Sequence, residues 1–491
     1  MPATSIPIRH TGSDPVLIRI AIALALPLLA AGTILGIFTN HEFIVTAGWL
    51  ALTLSGVLFV RPVVGIAAMT VLFLLAAYPT PLQDLGVLTV NNLLGLCFVV
   101  LLAARIIETR DFSFLRVRQV RILMGIGVLL LIGTYVAEWQ FPLLEASVGK
   151  TKILDKTSDM GHDFIARLVY LIFFIAFVRG RTDVKVMCIV LMVGLYAAIP
   201  SALVNWWQGT LNRGFRVEAS VTSGSNPNRL GMICLIEMAL WWFWSTTRLG
   251  IIRQLVAFAA IGSAGLVLLA TGSRSGLLGL GVAAVLMQTG PRRFRLPVWQ
   301  LGLLSVGGMI AIALLVPAET WQRMYTMLPE KGQIGNSSTQ MREETLERAV
   351  QVAEDYPVFG VGLGNFREVT RQIYEDDFFR PPHNSYLWAM CEGGVLVLLG
   401  YAWLFWVTWK DIEVIRSLSY LDPEIEVWST ALRVVFLLFF FYSAFADLWL
   451  NPLTYVLLGL IITMRRYVES LVRPMPAEAS LAPSVPRLPA A

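Results

Sequence analysis

Charge is what this sequence lacks. Asp, Glu, Lys and Arg together make up 14% of its 491 residues, about half the share usual in a soluble domain. That excludes an intrinsically disordered chain, which needs low hydrophobicity and high charge, and argues against an ordinary cytosolic enzyme. No polar linker divides the chain into the three or so domains its length would otherwise suggest. Cysteine is equally scarce. Cys97, Cys188, Cys234 and Cys391 are far too few for a disulfide scaffold, and each falls inside an apolar run as a small buried hydrophobe. No Cys-x-x-Cys or His-rich tract marks a structural metal. Lysine is nearly absent, with six against thirty-two arginines. Arg grips carboxylate and phosphate through a planar fork and is less strongly hydrated than Lys, which suits a membrane protein handling phosphate. A GC-rich genome produces the same bias. What is abundant is apolar: residues AVILMFWYC reach 56% and the mean hydropathy is +0.68.

A bilayer core about 30 Å thick needs about 20 apolar residues per helix. The expected fold is therefore an all-α integral membrane protein with about fourteen transmembrane helices. They are expected near 17–37, 43–60, 62–78, 86–107, 122–139, 165–180, 185–205, 228–245, 253–270, 275–290, 298–316, 385–408, 431–447 and 451–465. With that number, the basic clusters around Arg105–Arg121, Arg179–Lys185, Arg248–Arg253, Arg292–Arg295, Lys410–Arg416 and Arg465–Arg466 all fall on one side. By the positive-inside rule that side is the cytoplasm, and both termini lie there. Residues 1–16 form the cytoplasmic N-terminus and 17–209 an N-terminal transmembrane bundle. Residues 409–466 carry the C-terminal spans, and the Pro-rich 467–491 is expected to be a disordered cytoplasmic tail.

The opposite, outward side receives 140–164, 206–227 and a long loop, 317–384, between spans 11 and 12. Loops of that length tend to be functional. Within it, 339–356 has helical spacing, with Met341, Leu346, Ala349, Val350 and Ala353 among acids and arginines, and Pro357 ends it.

Three polar segments converge on that side. Arg216-Val-Glu-Ala-Ser-Val-Thr-Ser-Gly-Ser-Asn-Pro-Asn-Arg229 leads into span 8. Asn226 is placed to cap it, with Pro227 at its first helical position, and a helix N-terminus there suits an anion. Plain capping accounts for the same two residues. Thr271-Gly-Ser-Arg274-Ser-Gly276 breaks two apolar runs. An Arg at membrane depth is a functional hypothesis, and the alternative is a side chain snorkelling from a helix end. The third segment holds Pro357-Val-Phe-Gly-Val-Gly-Leu-Gly-Asn-Phe366 and Pro381-Pro-His383-Asn384-Ser-Tyr386. Its glycines follow a helix rather than a strand, so they read as a tight loop with close backbone approach and not as a nucleotide fingerprint. His383, one of four histidines, stands at the N-terminus of span 12. Glu392, nine residues on and about 180° round the helix, is expected to pack against a neighbour rather than pair with His383.

Arg then Asn-Pro-Asn, Ser-Arg-Ser-Gly, an Arg-led helix, Pro-x-x-Gly-x-Gly-x-Gly-x-Phe and His-Asn-x-Tyr-Leu occur in that order over roughly 210–405. This pattern resembles the O-antigen ligase and polymerase superfamily. The resemblance implies that 210–408, with the periplasmic loop 317–384, is the catalytic region of a bacterial inner-membrane glycosyltransferase whose active face is periplasmic. It implies a glycan donor on undecaprenyl pyrophosphate. The acceptor would be lipid A core in a ligase or a second lipid-linked glycan in a polymerase, and neither metal nor cofactor takes part. Arg216, Arg274 and Arg342 match pyrophosphate-binding arginines, and His383 matches the base for the acceptor hydroxyl. Asn226, Asn228, Asn384 and Tyr386 are supporting residues. Glu375, Asp376 and Asp377 offer a metal-binding alternative, although an acidic run in a loop is usually solvated. The reading from another class is a lipid-linked glycan flippase or other transporter, which would show broken helices near the midplane and internal repeats.

Overall fold

In the computed structural model, the described residues are 61–74, 90–141, 150–209, 217–219, 226–247, 250–289, 295, 337–375 and 380–472. The spans expected near 17–37, 43–60 and 298–316, and most of the terminal segments 1–16 and 467–491, lie outside them. Among the described residues there is helix and no strand. The helices are α1 (Pro62–Leu74), α2 (Val90–Thr109), α3 (Arg118–Gln140), α4 (Lys150–Phe177), α5 (Gly180–Tyr196), α6 (Ala198–Trp207), α7 (Pro227–Ser245), α8 (Ile251–Ala270), α9 (Arg274–Gln288), α10 (Ser337–Asp355), α11 (Phe366–Ile373), α12 (Ser385–Leu418), α13 (Pro423–Ser443) and α14 (Pro452–Val472).

Among the described residues, six stretches are long and apolar enough to cross a membrane: Arg118–Gln140, Met160–Phe177, Gly180–Trp207, Ile251–Ala270, Ser385–Leu421 and Pro423–Ser443. Helices of this kind on a chain of this composition make a multi-pass membrane protein. Helix α7, buried nearly all round, packs against α8, α9 and α13. Helix α14, buried without interruption from Leu453 to Met464, packs against α12, α4 and α5. Helices apolar on every face belong in the middle of such a bundle. At the periphery, α3 turns Val128, Leu131, Tyr135 and Trp139 outwards, and α8 exposes Ile251, Ile252 and Leu255.

Helix starts follow local chemistry. Asp422 caps α13 through the N–H groups of Glu424 and Ile425, with Pro423 at its first position. That start lies eight residues ahead of the expected 431. The loop helix, expected over 339–356, is α10. Span 12, expected as one helix over 385–408, continues to Leu418 and is broken inside. Gly394 sits at φ 70° and ψ −175°. The Gly-rich segment after α10 fills the break: Val361 N–H donates to the Cys391 carbonyl (2.8 Å) and Val395 N–H to the Pro357 carbonyl (2.7 Å). These are the donor and acceptor of one helical bond, Val395 N–H to Cys391 carbonyl, and both are thus re-paired from another part of the chain, as membrane-depth backbone requires. The fit leaves no room for side chains. A Cβ on Gly394 would lie 2.0 Å from the Val358 oxygen, one on Gly360 2.4 Å from the Cys391 oxygen, and one on Gly133 of α3 2.7 Å from the Phe359 oxygen. The close approach expected of these glycines is present, but the segment does not simply lie over the bundle. It is wedged between α3 and α12, about 14 Å along α12 from Ser385. A small apolar cluster of Ala137, Phe141, Ala349, Val352, Val361, Phe366, Val369 and Cys391 holds α10 and α11 there.

The end of the bundle carrying the basic clusters is tied by charge. Arg105 (3.3 Å) and Arg179 (3.0 Å) share Asp111, Arg181 binds Asp422 (2.6 Å) and Lys185 binds Glu424 (2.8 Å). Asp411 takes Arg465 and Gln119, and Arg466 donates to the Ile175 and Ser113 carbonyls.

Candidate active site at the opposite end

Three helix N-termini meet at the other end. Asn226 Oδ1 accepts the Asn228 N–H and opens α7. Ser273 Oγ accepts the Gly276 N–H and opens α9. Asn384 Oδ1 accepts the Tyr386 and Leu387 N–H groups and opens α12. The first two starts touch, since Ser273 Oγ donates to Asn228 Oδ1 at 3.0 Å. Each N-terminus carries a partial positive charge, so grouping them makes this end receptive to an anion.

The loop between α13 and α14 joins the third. Its backbone is held by side chains of three helices. Ser385 Oγ of α12 donates to the Ala446 carbonyl (2.6 Å) and accepts the Leu448 N–H (2.7 Å). Arg229 of α7 donates to the Asp447 carbonyl (3.1 Å). Tyr401 of α12 donates to the Trp449 carbonyl and Arg167 of α4 to the Leu450 carbonyl. A loop pinned at five consecutive residues is a rigid mount, and what it presents is Asp447. Asp447 Oδ2 lies 2.9 Å from Nδ1 of His383. An ionised carboxylate only accepts hydrogen bonds, so a neutral His383 facing it carries its proton on Nδ1 and leaves the lone pair on Nε2. His383 is one-quarter exposed and Asp447 8% exposed, so the imidazole reaches solvent while its partner does not. The His383 backbone is left-handed, at φ 51°. Strain of this kind in a bulky residue costs about 1–3 kcal/mol and gathers at functional sites.

The other expected site residues divide. Arg274 is the first residue of α9 and exposed, one position from the Ser273–Asn228 contact. Arg216 lies outside the described residues. The chain directly after it is fixed beside the same turn: Val217 N–H donates to the Ala270 carbonyl (3.3 Å) and Asn205 Nδ2 to the Glu218 carbonyl (2.8 Å). Arg342 is exposed on α10, two turns before Ala349, where α10 meets α12 through the Cys391 thiol. Tyr386 donates to the Phe440 carbonyl at 2.7 Å, which ties α12 to α13 and turns its hydroxyl away from His383. Glu392 is buried beside the α12 break, within electrostatic reach of Arg367. Asp376 and Asp377 lie outside the described residues, and among those described no group of three His, Cys, Asp or Glu stands ready for a metal.

Residues 255–402 match the family model described as O-antigen ligase. That stretch, less than a third of the chain, is similar to O-antigen ligases. The match supports a role in O-antigen ligation or polymerisation. It runs from within α8 to Ala402 in α12 and takes in Arg274, Arg342, His383, Asn384 and Tyr386, whereas Arg216, Asn226, Asn228, Arg229 and Asp447 fall outside it. The histidine of the matched segment therefore takes its partner from a later part of the chain. No curated protein matches the sequence.

Asp447, Arg229 and Ser385 were not singled out in the sequence. The signal for Asp447 was faint: one acid closing an apolar run, four residues before Asn451-Pro452, a pair that repeats the Asn226-Pro227 helix start.

Proposed function

We propose that the chain transfers a glycan from undecaprenyl pyrophosphate to a hydroxyl acceptor on the periplasmic face of the bacterial inner membrane, in surface polysaccharide (O-antigen or exopolysaccharide) assembly. The observation that carries this is the 2.9 Å contact between His383 Nδ1 and Asp447 Oδ2 at the meeting of three helix N-termini, with His383 inside the stretch that matches O-antigen ligases. The acceptor oxygen attacks the anomeric carbon and its proton passes to Nε2 of His383, within general-base reach. The anomeric C–O bond breaks and its electron pair leaves with the undecaprenyl pyrophosphate. Arg216 and Arg274 stabilise that growing negative charge by charge-assisted, bidentate contacts, helped by the α9 N-terminus, and Arg342 contributes from α10. In-line attack inverts the anomeric centre. Paired arginines take the place that a divalent cation fills elsewhere, so EDTA is expected to leave activity intact. Loss of activity restored by Mg²⁺ would refute that.

The transporter reading gains one feature from the break at Gly394. That break is filled by the chain's own Gly-rich segment, with its backbone groups paired, and so offers no open path. The deciding experiment is a membrane transfer assay of His383→Ala, for which glycan transfer is expected to vanish at unchanged protein level. Normal transfer would sink the base assignment. Glycan analysis of a deletion strain separates the two acceptors: single repeat units mean a polymerase, and long lipid-linked chains that never reach lipid A mean a ligase.

A further inference from the structure

The arginines at the charge-tied end fall into two groups. Arg105, Arg179, Arg181, Arg465 and Arg466 are engaged with carboxylates or carbonyls of other elements. Arg110, Arg116, Arg118 and Arg121 are exposed, and their side chains meet no partner among the described residues. The local acids do not serve them. Asp111 is taken by Arg105 and Arg179, and Glu108 acts on Arg105.

Two further observations concern the same dozen residues. Helix α3 starts at Arg118 with no side-chain cap, its N-cap position being Val117. Free N–H groups and the positive end of the helix dipole therefore face Arg116, Arg118 and Arg121. Basic residues in a first turn oppose the dipole, and the clash is relieved by an anion bound among them. The segment is also apolar where it should be wet: Phe112 is 47% exposed and Leu115 36%. Below it, Met124, Val128, Leu131, Tyr135 and Trp139 continue an outward apolar stripe down α3 from Arg121. Helix α3 is long and apolar enough to cross a membrane, so its first turn stands at a membrane–water boundary.

We propose that residues 110–121 form a binding site for an anionic phospholipid. The headgroup phosphate is held by Arg116, Arg118, Arg121 and the uncapped N-terminus of α3, with Arg110 flanking, and the acyl chains lie along Phe112, Leu115 and the α3 stripe. A free phosphate would answer the charge but not the exposed apolar surface joined to it. The site is separate from the glycan-transfer reading and stands without it.

The test uses the full chain in nanodiscs of phosphatidylcholine with and without phosphatidylglycerol. It measures retention of spin-labelled phosphatidylglycerol relative to spin-labelled phosphatidylcholine. The unaltered chain should prefer phosphatidylglycerol. The triple variant Arg116→Gln, Arg118→Gln, Arg121→Gln should lose that preference, by up to roughly five-fold per arginine. The three Arg→Lys changes at the same positions should keep it, which separates lost binding from a misfolded α3. A control triple, Arg253→Gln, Lys410→Gln, Arg416→Gln, should also keep it. Equal loss in both Gln triples would reduce the effect to diffuse surface charge and overturn the site, as would absence of any preference. If inorganic phosphate raised the melting temperature in phosphatidylcholine nanodiscs as much as phosphatidylglycerol does, the ligand would be a free anion and the lipid assignment would fall.

Discussion

The two ends of this helix bundle are fastened by different chemistry. At the charge-tied end, Asp111, Asp411, Asp422 and Glu424 each collect one or more basic side chains from other helices. Several of these groups are half-exposed, Arg181 among them, so each pair is worth at most about 1 kcal/mol. The fastening works by redundancy. At the site end, the α13–α14 loop is held through single hydrogen bonds to its own backbone from Ser385, Arg229, Tyr401 and Arg167. A buried carbonyl or N–H that loses its one partner costs about 1–3 kcal/mol. Here the fastening works by position, and the residue positioned is Asp447. The difference teaches where the molecule tolerates change: a latch shared by many weak pairs can lose one, whereas a mount that orients a histidine cannot.

The sharpest way to break this contrast is at the mount. Asp447→Asn keeps the shape but offers His383 an amide, which no longer dictates which ring nitrogen carries the proton. Transfer is expected to fall by on the order of 10²–10⁴-fold with little change in melting temperature, read in the membrane assay beside a thermal scan. An unchanged rate would mean that the His383–Asp447 contact only holds the loop.

Next in size is the plugged helix. Gly394→Ala puts a Cβ 2.0 Å from the Val358 oxygen at φ 70°. It should cost on the order of 3 kcal/mol and release the Gly-rich segment, visible as a lower melting temperature and faster proteolysis between α10 and α12. If the variant melts like the parent, the segment does not depend on the break.

The smallest effect is expected at the latch. Asp422→Asn keeps Oδ1 for the α13 cap but sets an amide N–H₂ where Oδ2 accepts from Arg181 and Tyr467. A loss of about 1–2 kcal/mol and full activity are expected. The same carboxyl sets a pH dependence. Burial works to raise it, and the hydrogen bonds from Arg181 and Tyr467 with the Arg181 charge together outweigh burial, so it titrates below the ordinary carboxylate range. Asp111 behaves alike: burial is outweighed by Ser113 and the charges of Arg105 and Arg466. A carboxyl depressed in the folded state adds stability that is complete above its unfolded pKa of about 3.9. That stability is lost as the pH falls through the folded value. Thermal scans of the parent should therefore show acid weakening below about pH 4, and Asp422→Asn should show less of it. Equal acid sensitivity in both would remove Asp422 from the latch.

The starts of several helices were legible because helix ends are written locally. Asn226-Pro227 opens α7 as its residue types imply, and the glycines of 360–364 make the close approach expected of them, whereas the caps at Ser273 and Asn384 were not read from the sequence. The break in α12 was not legible, although Gly393-Gly394 sits in plain view, because Cys391-Glu-Gly-Gly-Val continues an apolar run and hydropathy does not register a kink. Nor was Tyr386's attachment to Phe440, since a Tyr beside a catalytic-looking His-Asn reads the same whichever way its hydroxyl turns.

By itself, then, the sequence determined that this is a multi-pass helical membrane protein, where several helices begin, and which segment resembles O-antigen ligases. Each of these depends on composition or on contacts within a few residues. Only the tertiary structure decided which acid faces His383 and what fills the break at Gly394. Asp447 stands 64 residues from His383 and outside the matched segment, and the plug residues stand 30 and 38 residues from the carbonyl and N–H they satisfy. Such pairings arise when separate helices pack, and no local periodicity records them.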